Sequence, residues 1–169
     1  YRAAGAKKTL ALVGKGVVFD SGGLSIKVGD GMSSMKCDMS GAAAVAGAMK
    51  AIAAIKPKVN VEGYIPLVEN MPSGSAYRVD DIISYRNGVT VEVQNTDAEG
   101  RLILADALIE ASEAKPNAIV DLATLTGSCV IALGELIAAA MSNDDKFRSK
   151  VLEASERAGE ARRCGPCCR

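Results

Sequence analysis

The chain has 169 residues, 49% apolar and 24% charged, with mean hydropathy +0.14, which suits one domain with a real core and excludes disorder. Lys+Arg and Asp+Glu both total 20, for a formal net charge of +0, so no basic surface advertises nucleic acid or an anionic membrane as partner. Histidine is absent, which excludes a Ser-His-Asp triad, a Cys-His nucleophile and every histidine-based zinc site. No stretch reaches the roughly 18 consecutive apolar residues of a membrane span. The segment Tyr1–Lys8 lacks a signal peptide's apolar core, and the missing initial Met points to a fragment. Five cysteines, three of them in the last six residues, do not form a disulfide framework, and the cytosol is the expected compartment.

Along the chain, Thr9–Val13 is a short apolar run that predicts a buried strand. A Gly-rich, charged loop is expected from Gly14 to about Met39, followed by an Ala-rich helix over Ser40–Ile55 that ends at Lys56-Pro57. Val59–Val68 is β-branched and reads as one strand, and Glu69–Ala76 as a loop. Asn87-Gly88 marks a hairpin turn between Ile82–Tyr85 and Val89–Val93. A second helix is expected over Leu102–Ala114 and a strand over Ala118–Leu125. A short helix, a strand near Ile137–Met141 and a polar helix from Asp144 to Gly159 follow. Apolar strands alternating with helices predict an α/β fold, with a mostly parallel central sheet flanked by helices. In such folds sites collect at the carboxyl ends of strands.

The loops at those ends hold the chemistry. Asp97, Glu99 and Arg101 stand at alternate positions in Asn95-Thr96-Asp97-Ala98-Glu99-Gly100-Arg101-Leu102, and in an extended segment they would point the same way. A surface D-x-E-x-R is commonly just an ion pair. Here Ala, Gly and Leu flank the acids and an apolar helix follows, so the carboxylates enter an interior, where a metal ion is a common remedy for buried charge. The first loop adds Lys15, Asp20, Lys27 and Asp38 among glycines that fit neither the dinucleotide fingerprint nor the Walker pattern. Together the loops offer Asp20, Asp38, Asp97 and Glu99 as oxygen ligands, with Lys15 and Lys27 beside them. Four carboxylates suit a pair of divalent ions about 3.5–4 Å apart.

These segments, with Val13–Leu24, the Lys27-to-Asp38 spacing and Asp121-Leu122-Ala123-Thr124-Leu125-Thr126-Gly127, resemble the leucyl aminopeptidases, or cytosol aminopeptidases, from about Thr9 to Gly159. The resemblance implies a truncated three-layer α/β sandwich of the zinc-exopeptidase kind. It implies a two-metal aminopeptidase that removes N-terminal residues, leucine by preference, through a water bridging the ions. By position, Lys15, Asp20, Asp38 and Glu99 would hold one ion, and Asp20, Asp97 and Glu99 a more exchangeable one, with zinc, manganese or magnesium as occupants. Lys27 would donate to the scissile carbonyl, and Arg101 would hold a bicarbonate acting as general base. The Leu125 carbonyl would accept from the substrate, Asp38 would border it, and Met35, Thr124 and Gly127 would line the pocket for its terminal side chain. Peptide substrates and a homo-hexamer are implied as well.

The family departs from this chain in carrying an amino-terminal domain and a longer catalytic domain, and Val79-Asp80 stands where Pro-Gly is common. Residues 1–160 therefore read as a partial catalytic domain. Residues 161–169 read as an atypical tail, of frameshift or truncation origin, whose Cys164-Gly165-Pro166-Cys167 has too little chain after it for a thioredoxin-like helix. The alternative reading is an inactive fragment, or a non-catalytic regulator that binds metal or DNA.

Overall fold

The computed structural model describes residues 1–160, and residues 162–164 as backbone; the Gly165–Arg169 part of the Cys-rich tail lies outside the described residues. The chain divides into two compact units, Tyr1–Leu125 and Thr126–Arg169. In the first unit the central sheet is three parallel strands in the order β3-β1-β7: β1 is Thr9–Gly14, β3 Asn60–Tyr64 and β7 Ala118–Leu122.

Helices cover both faces. Helix α1, Ser40–Ile55, turns Gly41, Ala42 and Val45 inward; a Cβ on Gly63 of β3 would meet Met49 and Val45. Helix α2, Glu99–Glu113, buries Gly100, Leu104, Ala107 and Ala111, one stripe at helical spacing. Leu104, Ala107 and Ala111 form a core with Ala11 and Val13 of β1, with Tyr64, Leu108 and Ile119 packed against it. The alternation of strand side chains thus gives Leu10, Leu12 and Val61 to α1 and Ala11, Val13 and Ile119 to α2. The run Met35–Ile55 has the length and hydropathy of a membrane span by composition alone, yet α1 lies across the sheet as a layer of this sandwich.

The predicted helix Ser40–Ile55 matches α1. Two other expectations are corrected. The glycine-rich loop opens with a strand, β2 (Gly16–Asp20), and Val59–Val68 is two strands, β3 and β4 (Leu67–Asn70), separated by Ile65-Pro66. Proline cannot donate to a ladder, so pairing stops there, and β2 and β4 resume it as a separate parallel pair that ends on Asp20 opposite Asn70. Strands β5 (Ile82–Ser84) and β6 (Thr90–Glu92) form the hairpin foreseen at Asn87-Gly88; Gly88 sits at φ 84, where a side chain is strained.

The second unit contains α3 (Ser128–Leu133), β8 (Ala138–Ala140), α4 (Asp145–Arg157) and β9 (Arg162–Cys164), with β8 and β9 parallel. The Asp144 carboxylate accepts the N–H groups of Lys146 and Phe147 at 2.9 and 3.0 Å and caps α4.

Candidate metal centre

The chain runs from β1 through α1 to β3 on one side of the sheet, and later through α2 to β7 on the other side of β1. The crevice where the strand order reverses therefore opens at the carboxyl ends of β1 and β7. Lys15 occupies that point. Its N–H donates to Leu122 O and its carbonyl accepts from Ala42 N, both at 2.9 Å, so β7 and α1 clamp its backbone. The approach is close: a Cβ on Gly41 would lie 2.0 Å from Leu122 O.

The buried Lys15 ammonium lies 2.8 Å from Asp38 Oδ1, 2.9 Å from Thr124 O and 2.9 Å from Glu99 Oε1, three acceptors for three donors. Thr124 Oγ1 donates to the same Asp38 oxygen at 2.7 Å. The other one, Asp38 Oδ2, is buried without a hydrogen-bond partner, a costly state for a carboxylate oxygen unless a cation faces it.

Asp20 ends β2, Asp97 lies in a 3-10 turn over Thr96–Ala98, and Glu99 opens α2. One carboxylate oxygen from each lies within 4.8 Å of those of the other two. Lys27 Nζ stands 2.9 Å from Asp20 Oδ2 and 2.6 Å from Asp97 Oδ1. The second contact is close but poorly directed, so Asp97 Oδ1 still counts as buried without a directed hydrogen bond. Burial pushes the Asp20 carboxyl up, but the Lys27 ammonium, the Gly22 N–H and the Asn70 amide together hold it below the usual range. Glu99 goes the other way: burial raises it, and Lys15 only partly offsets this. Burial lowers the Lys27 ammonium, and Asp97 and Asp20 more than restore it. Asp20, Asp38, Asp97 and Glu99 against Lys15 and Lys27 leave an excess of negative charge, which a divalent cation would neutralise.

The structure brings together Lys15, Asp20, Lys27, Asp38, Asp97, Glu99 and Thr124. It corrects the extended reading of Asp97, Glu99 and Arg101. The chain turns at Thr96–Ala98 and is helical from Glu99, so the three residues do not alternate along one extended segment; Arg101 lies in the first turn of α2, is exposed, and among the described residues no ion pair ends on it. Met35 is half-buried in the 3-10 turn Met35–Met39, Leu125 is exposed at the end of the first unit, and Gly127 precedes α3 in the second.

Three site residues escaped sequence reasoning. Thr96, fully buried, donates from Oγ1 to Gly22 O at 2.7 Å and accepts there from Ser25 N, pinning the first loop to the turn. Tyr77 donates its hydroxyl to Thr96 O; burial, then Glu99, Asp20 and Asp97, push that hydroxyl well above its ordinary value. Asn70 was assigned to a loop, and only its place beside Met71-Pro72 after an apolar run hinted at a strand end. A wide apolar groove between the β5–β6 hairpin and α2, lined by Tyr85, Val89, Val91 and Leu108, lies apart from this chemistry.

Comparisons with known proteins identify relatives of the chain as a whole. The family model of the cytosol aminopeptidase family, catalytic domain, matches residues 1–164. A probable cytosol aminopeptidase of Persephonella marina is 59% identical over 160 residues, 95% of this chain and 32% of the relative. One from Streptomyces avermitilis is 57% identical over 160 residues, covering 95% and 31%. Among solved structures, a leucine aminopeptidase of Caenorhabditis elegans superimposes with TM-score 0.93 at 42% identity, over 97% of this chain and 34% of that one. The bottromycin maturation enzyme BotP in complex with Mn does so with TM-score 0.91 at 46% identity, over 97% and 36%. The chain thus spans about a third of the length of the curated relatives it matches.

Proposed function

The chain belongs to the cytosol aminopeptidase family, and from that premise we propose that it carries the metal centre of an aminopeptidase that hydrolyses the N-terminal residue, leucine by preference, from peptides. The observation that carries the reading is the convergence of Asp20, Asp97 and Glu99 within 4.8 Å, beside an Asp38 oxygen that is buried with no hydrogen-bond partner. That donor set fits hard divalent cations.

Lys15, as the neutral amine, with Asp20, Asp38 and Glu99 would hold one ion, and Asp20, Asp97 and Glu99 the second, with zinc, manganese or magnesium as occupants. Bound there, such ions supply Lewis acidity toward a peptide carbonyl and lower the pKa of a water. The chain's own groups do the rest. Lys15, whose side chain is 3% exposed, is sealed among its acceptors, whereas that of Lys27 is 16% exposed; the more open ammonium is the one to donate to a substrate carbonyl as charge develops on it. The Thr124 hydroxyl fixes Asp38, the Leu125 carbonyl accepts from the substrate, and Met35 and Thr124 line the pocket for its terminal side chain.

Arg101, in the first turn of α2, is assigned an anion such as bicarbonate as general base; a guanidinium and a helix N-terminus both favour one. A homo-hexamer and a cytosolic location belong to the same proposal. The test is hydrolysis of a leucyl amide with added Mn2+: Asp97→Ala and Glu99→Ala are each expected to reduce the rate to background. Undiminished turnover in either variant rules out the assignment of these carboxylates.

A further inference from the structure

Asp20 and Glu99 come from different elements, and each divides its two oxygens in the same way. Asp20 Oδ2 faces the Lys27 ammonium at 2.9 Å, while Oδ1 accepts from Gly22 N at 2.9 Å and from Asn70 Nδ2 at 2.9 Å. Glu99 Oε1 faces the Lys15 ammonium at 2.9 Å, while Oε2 takes Asn70 Nδ2 at 3.3 Å. The same amide nitrogen donates to Thr96 O at 2.9 Å. Asn70 is 4% exposed, and its backbone carbonyl accepts from Ser21 N at 2.9 Å and Ser21 Oγ at 2.6 Å.

One neutral group therefore ties the end of β2, the 3-10 turn and the start of α2. The amide can face only one way, because the opposite orientation would set its oxygen against two carboxylates and a carbonyl. Its position follows from strand register, since Asn70 closes β4 directly opposite Asp20. A lysine would add a cation competing for the same oxygens, an aspartate would add a further negative charge, and a serine has one donor on too short an arm.

We infer that Asn70 is a positioning residue of the metal centre: its amide fixes the rotamers of Asp20 and Glu99 so that Asp20 Oδ2 and Glu99 Oε1 are presented to bound cations. The inference rests on the metal reading above and assigns Asn70 no contact with substrate. Groups that orient ligands from behind alter metal affinity by about 10- to 100-fold when removed.

The test titrates Mn2+ alone into the metal-free full chain, following uptake by calorimetry and the bound ion by its electron paramagnetic resonance spectrum. Asn70→Ala, which removes the amide, and Asn70→Gln, which displaces it by one methylene, are expected to weaken uptake about 10- to 100-fold and to change the spectrum. Tyr85→Phe is the control: it loses a 3.0 Å bond to Leu102 O on α2 and should lower the unfolding temperature while leaving uptake and spectrum unchanged. Should Asn70→Ala fail to fold, Asn70→Gln, which keeps the amide but moves it, decides alone. Unsubstituted affinity and spectrum in the Asn70 variants, or an equal loss in Tyr85→Phe, overturn the role of Asn70. Absence of Mn2+ uptake by the unsubstituted chain overturns that role and the metal reading together.

Discussion

At the scale of single residues, the acidic octapeptide is more than a ligand list. Asn95 turns its side-chain oxygen to Asp97 N at 2.8 Å and shapes the turn, Thr96 staples that turn to the first loop, and Gly100 leaves room for Lys15. A Cβ on Gly100 would lie 2.6 Å from Lys15 Cε and 2.7 Å from Nζ. A lysine tip usually yields, but this one is buried and holds three acceptors, so yielding means breaking a sealed ion-pair network. Gly100→Ala is therefore expected to cost about 1–3 kcal/mol, the range for overpacking a core, as read from denaturant unfolding of the metal-free chain. Loss of less than a few tenths of a kcal/mol would show that Lys15 has a second resting place. Asp80 shows the converse. It adopts φ 70, a left-handed conformation that suits glycine and that Asp tolerates better than most side chains. The acids were legible as ligand candidates because charge beside Ala, Gly and Leu has few other uses. Asn70 was not, because a neutral amide carries no signal until strand register sets it opposite Asp20.

At the scale of elements, the apolar periodicity foresaw α1 and both halves of the hairpin, and it misplaced the start of α2. Sequence reasoning began that helix at Leu102; it begins at Glu99, because Asn95 and the 3-10 turn initiate it one turn earlier. That shift takes Arg101 out of an alternating extended segment into the first turn of α2 and puts Glu99 where the helix N-terminus meets Lys15. The stripe Gly100, Leu104, Ala107, Ala111 then seats α2 on β1. Leu104 is 4% exposed and packs among small residues, so Leu104→Ala leaves a void that alanine neighbours cannot close. The expected loss is about 2–5 kcal/mol, measured by thermal or denaturant unfolding; a loss below about 1 kcal/mol would mean that α2 can slide to fill the gap. The strand break at Ile65-Pro66 was hidden for a different reason. Hydropathy is continuous across it, and only the missing ladder donor ends the pairing.

For the molecule as a whole, the α/β architecture was readable from strand–helix alternation, and the gathering of the site at the carboxyl ends of the strands follows from parallel order. The division after Leu125 was not foreseen, since no glycine- or proline-rich linker marks it. Stability at high pH is also a property of the whole. Tyr64, Tyr77 and Tyr85 are each raised above the ordinary 10.0, with burial as the leading cause. A raised pKa means the folded chain keeps protons that the unfolded chain has lost, so the associated stability is complete below pH 10 and falls as pH rises through the folded values. The expected outcome is cooperative alkaline unfolding in which tyrosinate absorbance and loss of ellipticity rise together. Tyrosines that all ionise near pH 10 ahead of any unfolding would contradict the burial assigned to them.

The amino-acid sequence by itself determined the class of fold and singled out the acids as ligand candidates, because periodicity, helix stops and charge in apolar surroundings are local properties; the family was legible in short motifs, by resemblance. Tertiary structure alone decided which of those groups face one another. Lys15 pairs with Asp38 and Glu99, Lys27 pairs with Asp20 and Asp97, Arg101 stands exposed in the first turn of α2, and Asn70 joins two carboxylates. Each of those outcomes depends on the register between strands and the phase of a helix, which are set by contacts between residues far apart in the chain.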